Sequence, residues 1–240
     1  MSRLRTEGGF TLVEAMMTCV LLIIVSGSAT LVLVGATQRN ARQQRQAEAV
    51  QQARIGMEKT VGLMRAQVCL TNTITPVAAA SDRAVTFYAD TTDARVGNVP
   101  VKHVLTADPA TARIVDQSYD GTASSVTDAP PTYPSTPSRT RVLATGIFPS
   151  GTTPIFSYFA FTDATPADST IALNSASSPT VAAADLPRIA RIAITFEARS
   201  PGPNPALTRS KTVSDQVFVR AADPNFDAPD STAPGPTCTF

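Results

Sequence analysis

The chain has 240 residues, enough for one sizeable domain and a long additional element. Its formal net charge of +1 divides into +4 over residues 1–75 and −3 over the rest, and neither part has the clustered basic face that a nucleic-acid partner needs. One histidine, His103, and three cysteines without a Cys-x-x-Cys pair argue against a zinc centre.

The N-terminal third is set apart by what it lacks. All 19 prolines lie at Pro76 or beyond, and proline breaks helix interiors, so the first 75 residues can form a long helix. They begin MSRLRTEGGFTLVEAMMTCVLLIIVSGSATLVLVGATQRN. Between Glu14 and Arg39 stand 24 uncharged residues, and about 20 suffice to cross the hydrocarbon core of a bilayer. Glu14 breaks the apolar run near its start, where a lone buried charge costs about 2.5–3.5 kcal/mol on insertion scales. A cleavable secretory signal is one reading, with Arg3 and Arg5 as its basic region and Val34-Gly35-Ala36 as a cleavage site. The apolar run exceeds the usual ~7–15 residues of such signals, and an internal carboxylate is foreign to them. Arg39, Arg42 and Arg45 follow the span while only Arg3 and Arg5 precede it. A count of flanking charge would therefore put the C-terminal side in the cytoplasm, although long domains translocate largely regardless of that count.

The stretch GGFTLVEAMM resembles the cleavage and methylation motif of prepilins: a short basic leader ending in glycine, then Phe-Thr-Leu-Val-Glu and an aliphatic helix. The resemblance implies a leader at 1–9, cleavage by the membrane prepilin peptidase between Gly9 and Phe10, and N-methylation of Phe10. It also implies a role for Glu14. In type IV pilins and pseudopilins the corresponding carboxylate pairs with the N-terminal amine of a neighbouring subunit, and opposite charges in a low dielectric offset each other's desolvation. The alternative is a Glu14 that snorkels to the interface and pairs with nothing.

After the membrane and filament-core segment, 10–36, an amphipathic continuation is expected over 37–71. Ala47, Val50, Ala53, Met57, Val61, Met64 and Val68 recur at steps of three and four and make one apolar stripe. The expectation is a single helix from about Phe10 to about Leu70, with Ser26-Gly27-Ser28-Ala29-Thr30 as a weak point or a place of close helix approach.

From Pro76 the period changes to two. AVTFYAD, VKHVLTAD, ARIVDQSYD, RTRVLATGIF, IFSYFAFTD, RIARIAITFEARS and TVSDQVFVRA alternate apolar with polar residues between turn clusters. About seven strands are expected over 76–222, in one antiparallel sheet or two, resting on the helix. SYDGTASSVTDAPPTYPSTPSRT reads as a long mobile loop and 223–240 as an extended Pro-rich tail. The fold class is α+β. The order of the later strands is similar to that in J-type (PilW-like) minor pilins, which implies a pilin-like fold, a long helix packed on an antiparallel sheet.

No catalytic constellation is visible. His103 lies in an alternating strand without a motif around it, and no phosphate-binding loop occurs. Asp90-Thr-Thr-Asp93 offers too few oxygens for the ~6–8 that calcium prefers and suits a turn. No enzyme activity, cofactor, metal or small-molecule substrate is expected. Cys69 and Cys238 are a candidate disulfide, closing the tail onto the end of the helix on the oxidising side of the membrane; two free thiols are the alternative. The resemblance implies a minor pilin or pseudopilin, structural or assembly-priming, in a type IV pilus or type II secretion pseudopilus. Its partners would be the peptidase, other minor and major pilins, the inner-membrane assembly platform and the membrane. It would be a single-pass inner-membrane protein with its C-terminal domain outside the cytoplasm. A competence pseudopilin for DNA uptake and a signal-anchored binding domain that never assembles are the rivals.

Overall fold

In a computed structural model the structure describes residues 11–70, 74–90, 99–124, 129–161, 170–199 and 210–219. The chain divides into two units, 1–47 and 48–240, and one helix, α1 (Leu12–Arg65), contributes to both. In the first unit the helix continues through Ser26–Thr30 without a break. The Ser28 and Thr30 hydroxyls donate back to the carbonyls of Val25 and Ser26, at 2.8 Å each. This lets polar side chains sit in an apolar helix with their hydrogen bonds made.

The second unit holds ten strands among the described residues, and every pairing between them is antiparallel. β1 (Val77–Ala80), β2 (Ala84–Ala89), β3 (Val101–Asp108), β4 (Arg113–Tyr119) and β5 (Arg139–Thr145) form a meander in chain order. β6 (Ile147–Phe148), β7 (Phe156–Phe161), β8 (Thr170–Ala172), β9 (Arg191–Ala198) and β10 (Lys211–Phe218) form the second sheet. Its order is β10-β9-β7-β8, with β6 also on β9. The chain passes from the first sheet to the second at Gly146, whose φ of +70° favours a residue without Cβ.

Burial follows the alternation. β3 and β9 bury every second residue, including Leu105 on one and Ile192, Ile194 and Phe196 on the other. The two sheets share one core with the end of α1. Tyr158 on β7 ties them further, its hydroxyl lying 3.0 and 3.1 Å from the Ser81 and Ala84 carbonyls at the β1–β2 turn. With that hydroxyl buried, desolvation holds the Tyr158 pKa well above its ordinary value.

Several expectations need correction. The helix stops at Arg65 rather than about Leu70, because the backbone beyond it is taken by β2. Gln67 bridges to Ala89, the Val68 N–H donates to the Tyr88 carbonyl at 3.0 Å, and the Asp90 N–H donates to that of Ala66 at 3.0 Å. Ala47 is exposed and Val68 half-buried, while Gly56 and Thr60 join Ala53, Met57, Val61 and Met64 on the buried face. RTRVLATGIF is two strands broken at Gly146. The strand expected from Arg188 starts at Arg191, since Ala183–Arg188 is a 3-10 turn containing Pro187. The long loop after β4 is pinned in its described parts: Thr122 and Thr132 exchange backbone hydrogen bonds, and Tyr133 packs on Tyr88 with its hydroxyl donating to the Pro100 carbonyl.

Candidate functional site

Thr11 precedes the helix and caps it. Its carbonyl accepts from the Glu14 and Ala15 N–H groups at 3.1 Å, and its Oγ1 lies 3.4 Å from the Glu14 nitrogen. Thr-x-x-Glu is the capping-box spacing, and a first-turn carboxylate is favoured by the positive end of the helix dipole. Glu14 thus has a local reason for its place in addition to any partner outside the chain. It is exposed and forms no ion pair among the described residues.

The large apolar side chains from Leu12 to Val34 are 46–77% exposed. Among the described residues nothing lies within 4 Å of the positions a Cβ would take at Gly27 and Gly35, so there both are open to close approach by another helix. The helix is long and apolar enough to cross a membrane, and an apolar surface of this extent calls for a covering partner. Gly9 and Phe10 lie outside the described residues, as does Cys238. Cys19 is exposed with a free thiol, whereas Cys69 is buried and disulfide-bonded.

In the sheet domain the most polar buried cluster is centred on Asp116. This residue is fully buried on β4. Its Oδ1 meets His103 Nδ1 at 2.8 Å, and its Oδ2 accepts from Arg141 Nη2 at 2.8 Å and Nε at 3.3 Å. His103 is stacked on Phe87 with ring centres 5.6 Å apart, and its Nε2 is buried without a hydrogen-bond partner among the described residues. Among the described residues no nucleophile is bonded to that nitrogen, and they do not form a hydrolytic triad there. Among the described residues no group of three or more His, Cys, Asp or Glu could hold a metal. Asp90 sits at the end of β2, and Asp93 lies outside the described residues.

The cluster gives the fold a defined response to acid. Burial raises the Asp116 pKa, but the hydrogen bonds and charges of His103 and Arg141 outweigh this and hold it below the ordinary carboxylate value. A carboxyl group with a depressed folded-state pKa stabilises the fold above its unfolded pKa, about 4, and that contribution disappears as pH falls through the lower folded value. Asp116→Asn is therefore expected to cost about 3 kcal/mol at pH 7, the low end for breaking a buried pair because Arg141 regains water. It should also flatten the loss of stability below about pH 4. Thermal melts of both proteins from pH 7 to pH 3 measure this; parallel curves would rule the linkage out.

Comparison with models of known families, with curated proteins and with solved structures finds no match.

Proposed function

We propose that the protein is a membrane-anchored structural subunit of a filament, a minor pilin or pseudopilin. In this reading it is cut between Gly9 and Phe10, held in the inner membrane by its first helical turns up to about Ala36, and assembled with its sheet domain outside the cytoplasm. The observation that carries the reading is the Gly9-Phe10 junction followed by Glu14 in an otherwise uncharged helix. Cleavage frees an amine at Phe10, and Glu14 is a carboxylate without an ionic partner among the described residues. Two desolvated charges on neighbouring subunits would each supply what the other lacks. The continuous helix, with apolar side chains exposed before residue 35 and a buried face from Ala53 on, supports the same division of labour between packing and presentation.

Mass spectrometry of the protein from its native membrane tests this. An N-methylated Phe10 is the expected terminus, and Gly9→Val should leave an uncut chain, because the peptidase must approach the backbone closely there. A wild-type protein that begins at Met1 or Thr37 would overturn the reading.

A further inference from the structure

β10 is bonded along all eight of its residues to β9 and, among the described residues, to no other strand. Among the described residues its far edge therefore has no strand partner and is a template for another strand, with the Gln216 N–H already bonded to the Asp215 carboxylate. Two other edges are less open. β1 is bonded at its end, the Val181 N–H donating to the Ala80 carbonyl and Ser81 bridging to Thr180, and β8 has three residues. β5 has the backbone of α1 against Leu143 and Ala144 at Gly56, with Arg139–Val142 exposed and, among the described residues, no groove beside them like the one beside β10.

Beside β10 runs a groove of about 450 Å³, with Met57, Val61 and Val213 as its apolar lining and Arg54, Glu58 and Arg65 as charged groups along the helix wall. None of these three charges is in an ion pair among the described residues. The helix wall from Arg54 to Arg65 is about 16 Å long, the length of about five residues of extended chain. On the strand side, Lys211, Val213 and Asp215 share one face, with Val213 half-buried and the two charges exposed. Among the described residues the Asp215 carboxylate is in no ion pair and accepts from the N–H of Gln216, at 2.7 Å.

We propose that this edge and groove receive an extended segment of a neighbouring subunit, which adds to the second sheet as an antiparallel strand. An antiparallel partner meets Asp215 first, then Val213, then Lys211. The matching segment therefore reads cation-x-apolar-x-anion from its N-terminus, with the apolar side chain entering the groove over Met57 and Val61. Main-chain bonds supply affinity in such additions and alternate side chains supply specificity. The identity of the partner as a subunit rests on the assembly reading; the site itself rests on the edge, the groove and the charge order.

The test is a fluorescence-anisotropy titration of the purified full chain in detergent with a labelled, end-capped peptide, Lys-Thr-Val-Thr-Glu, and its charge-reversed counterpart, Glu-Thr-Val-Thr-Lys. Saturable binding of the first peptide is expected, about tenfold tighter than the second, from two cross-strand charge pairs changing from attraction to repulsion. The double variant Lys211→Glu, Asp215→Lys should invert that preference. If the variant does not fold, the two peptides against the wild-type chain decide alone. Absence of saturable binding, or equal binding of both peptides, would overturn the proposal. Because the titration does not depend on cleavage, its failure leaves the assembly reading to the N-terminal mass. Selective binding by a chain that keeps Met1 would uphold the site and remove only the filament as its setting.

Discussion

Gly56→Leu is expected to destabilise the sheet domain by about 3 kcal/mol and lower its Tm by about 6–12 °C. A Cβ built on Gly56 would collide with the Ala144 Cβ and lie 2.9 Å from the Ala144 Cα and 3.0 Å from the Leu143 carbonyl oxygen. Two of those atoms are backbone, so no rotamer change relieves the contact. The neighbouring turn reinforces the seam, since the buried Thr60 hydroxyl is spent on the Gly56 carbonyl at 2.8 Å. Gly56→Ala should cost less, because alanine gains about 1 kcal/mol of helix propensity against the same clash. Combining it with Ala144→Gly should recover part of the loss. Circular-dichroism melts of the full chain in detergent read all three. An unchanged Tm for Gly56→Leu would mean that the helix does not approach β5 as closely as described.

On the proposed filament-subunit reading, Glu14→Gln should leave a folded, processed and membrane-held protein that enters assemblies about a hundredfold less well, the factor that corresponds to losing about 3 kcal/mol at a buried charge pair. Glutamine is chosen because it keeps the capping-box position at the start of α1 while removing the charge. If Glu14 serves only to cap the helix, Gln should assemble normally and Val should fray the first turn. If it pairs with the amine of a neighbour, Gln and Val should both fail while the sheet domain melts at its ordinary temperature. Quantifying each variant in sheared filaments against the membrane fraction distinguishes the two, and normal incorporation of both would end the pairing hypothesis.

What could be read from the sequence was whatever has a local period. The strands with one buried face stand out because alternation is a two-residue signal, as in Ile192, Ile194 and Phe196. β1 and β8 do not, since Val77–Ala80 is mostly alanine and Thr170–Ala172 is too short to alternate. The helix end is illegible for a different reason. Val68 continues the apolar stripe, but the decisive competitor is the edge of β2, twenty residues away at Tyr88. His103 and Arg141 are invisible as partners of Asp116 because cross-strand register, not spacing, brings each to it. Gly56 gives no signal at all, since a glycine in a helix looks merely unfavourable until the facing strand is known. The Thr11-x-x-Glu14 cap, by contrast, is readable from spacing alone.

The crossing at Gly146 has a consequence for how the domain forms. The first sheet is a meander whose neighbours are also neighbours in sequence, so its pairings close loops shorter than the one that brings Ile147 to Ala198, the longest being residues 120–138 between β4 and β5. The second is gathered by β9, which binds β6 and β7 from earlier in the chain and β10 from later, with Ile147 brought to Ala198 across some fifty residues. Loop-closure entropy delays such contacts. The meander can therefore form before β9 is available to pair, whereas the second sheet must wait for nearly the whole domain to be synthesised.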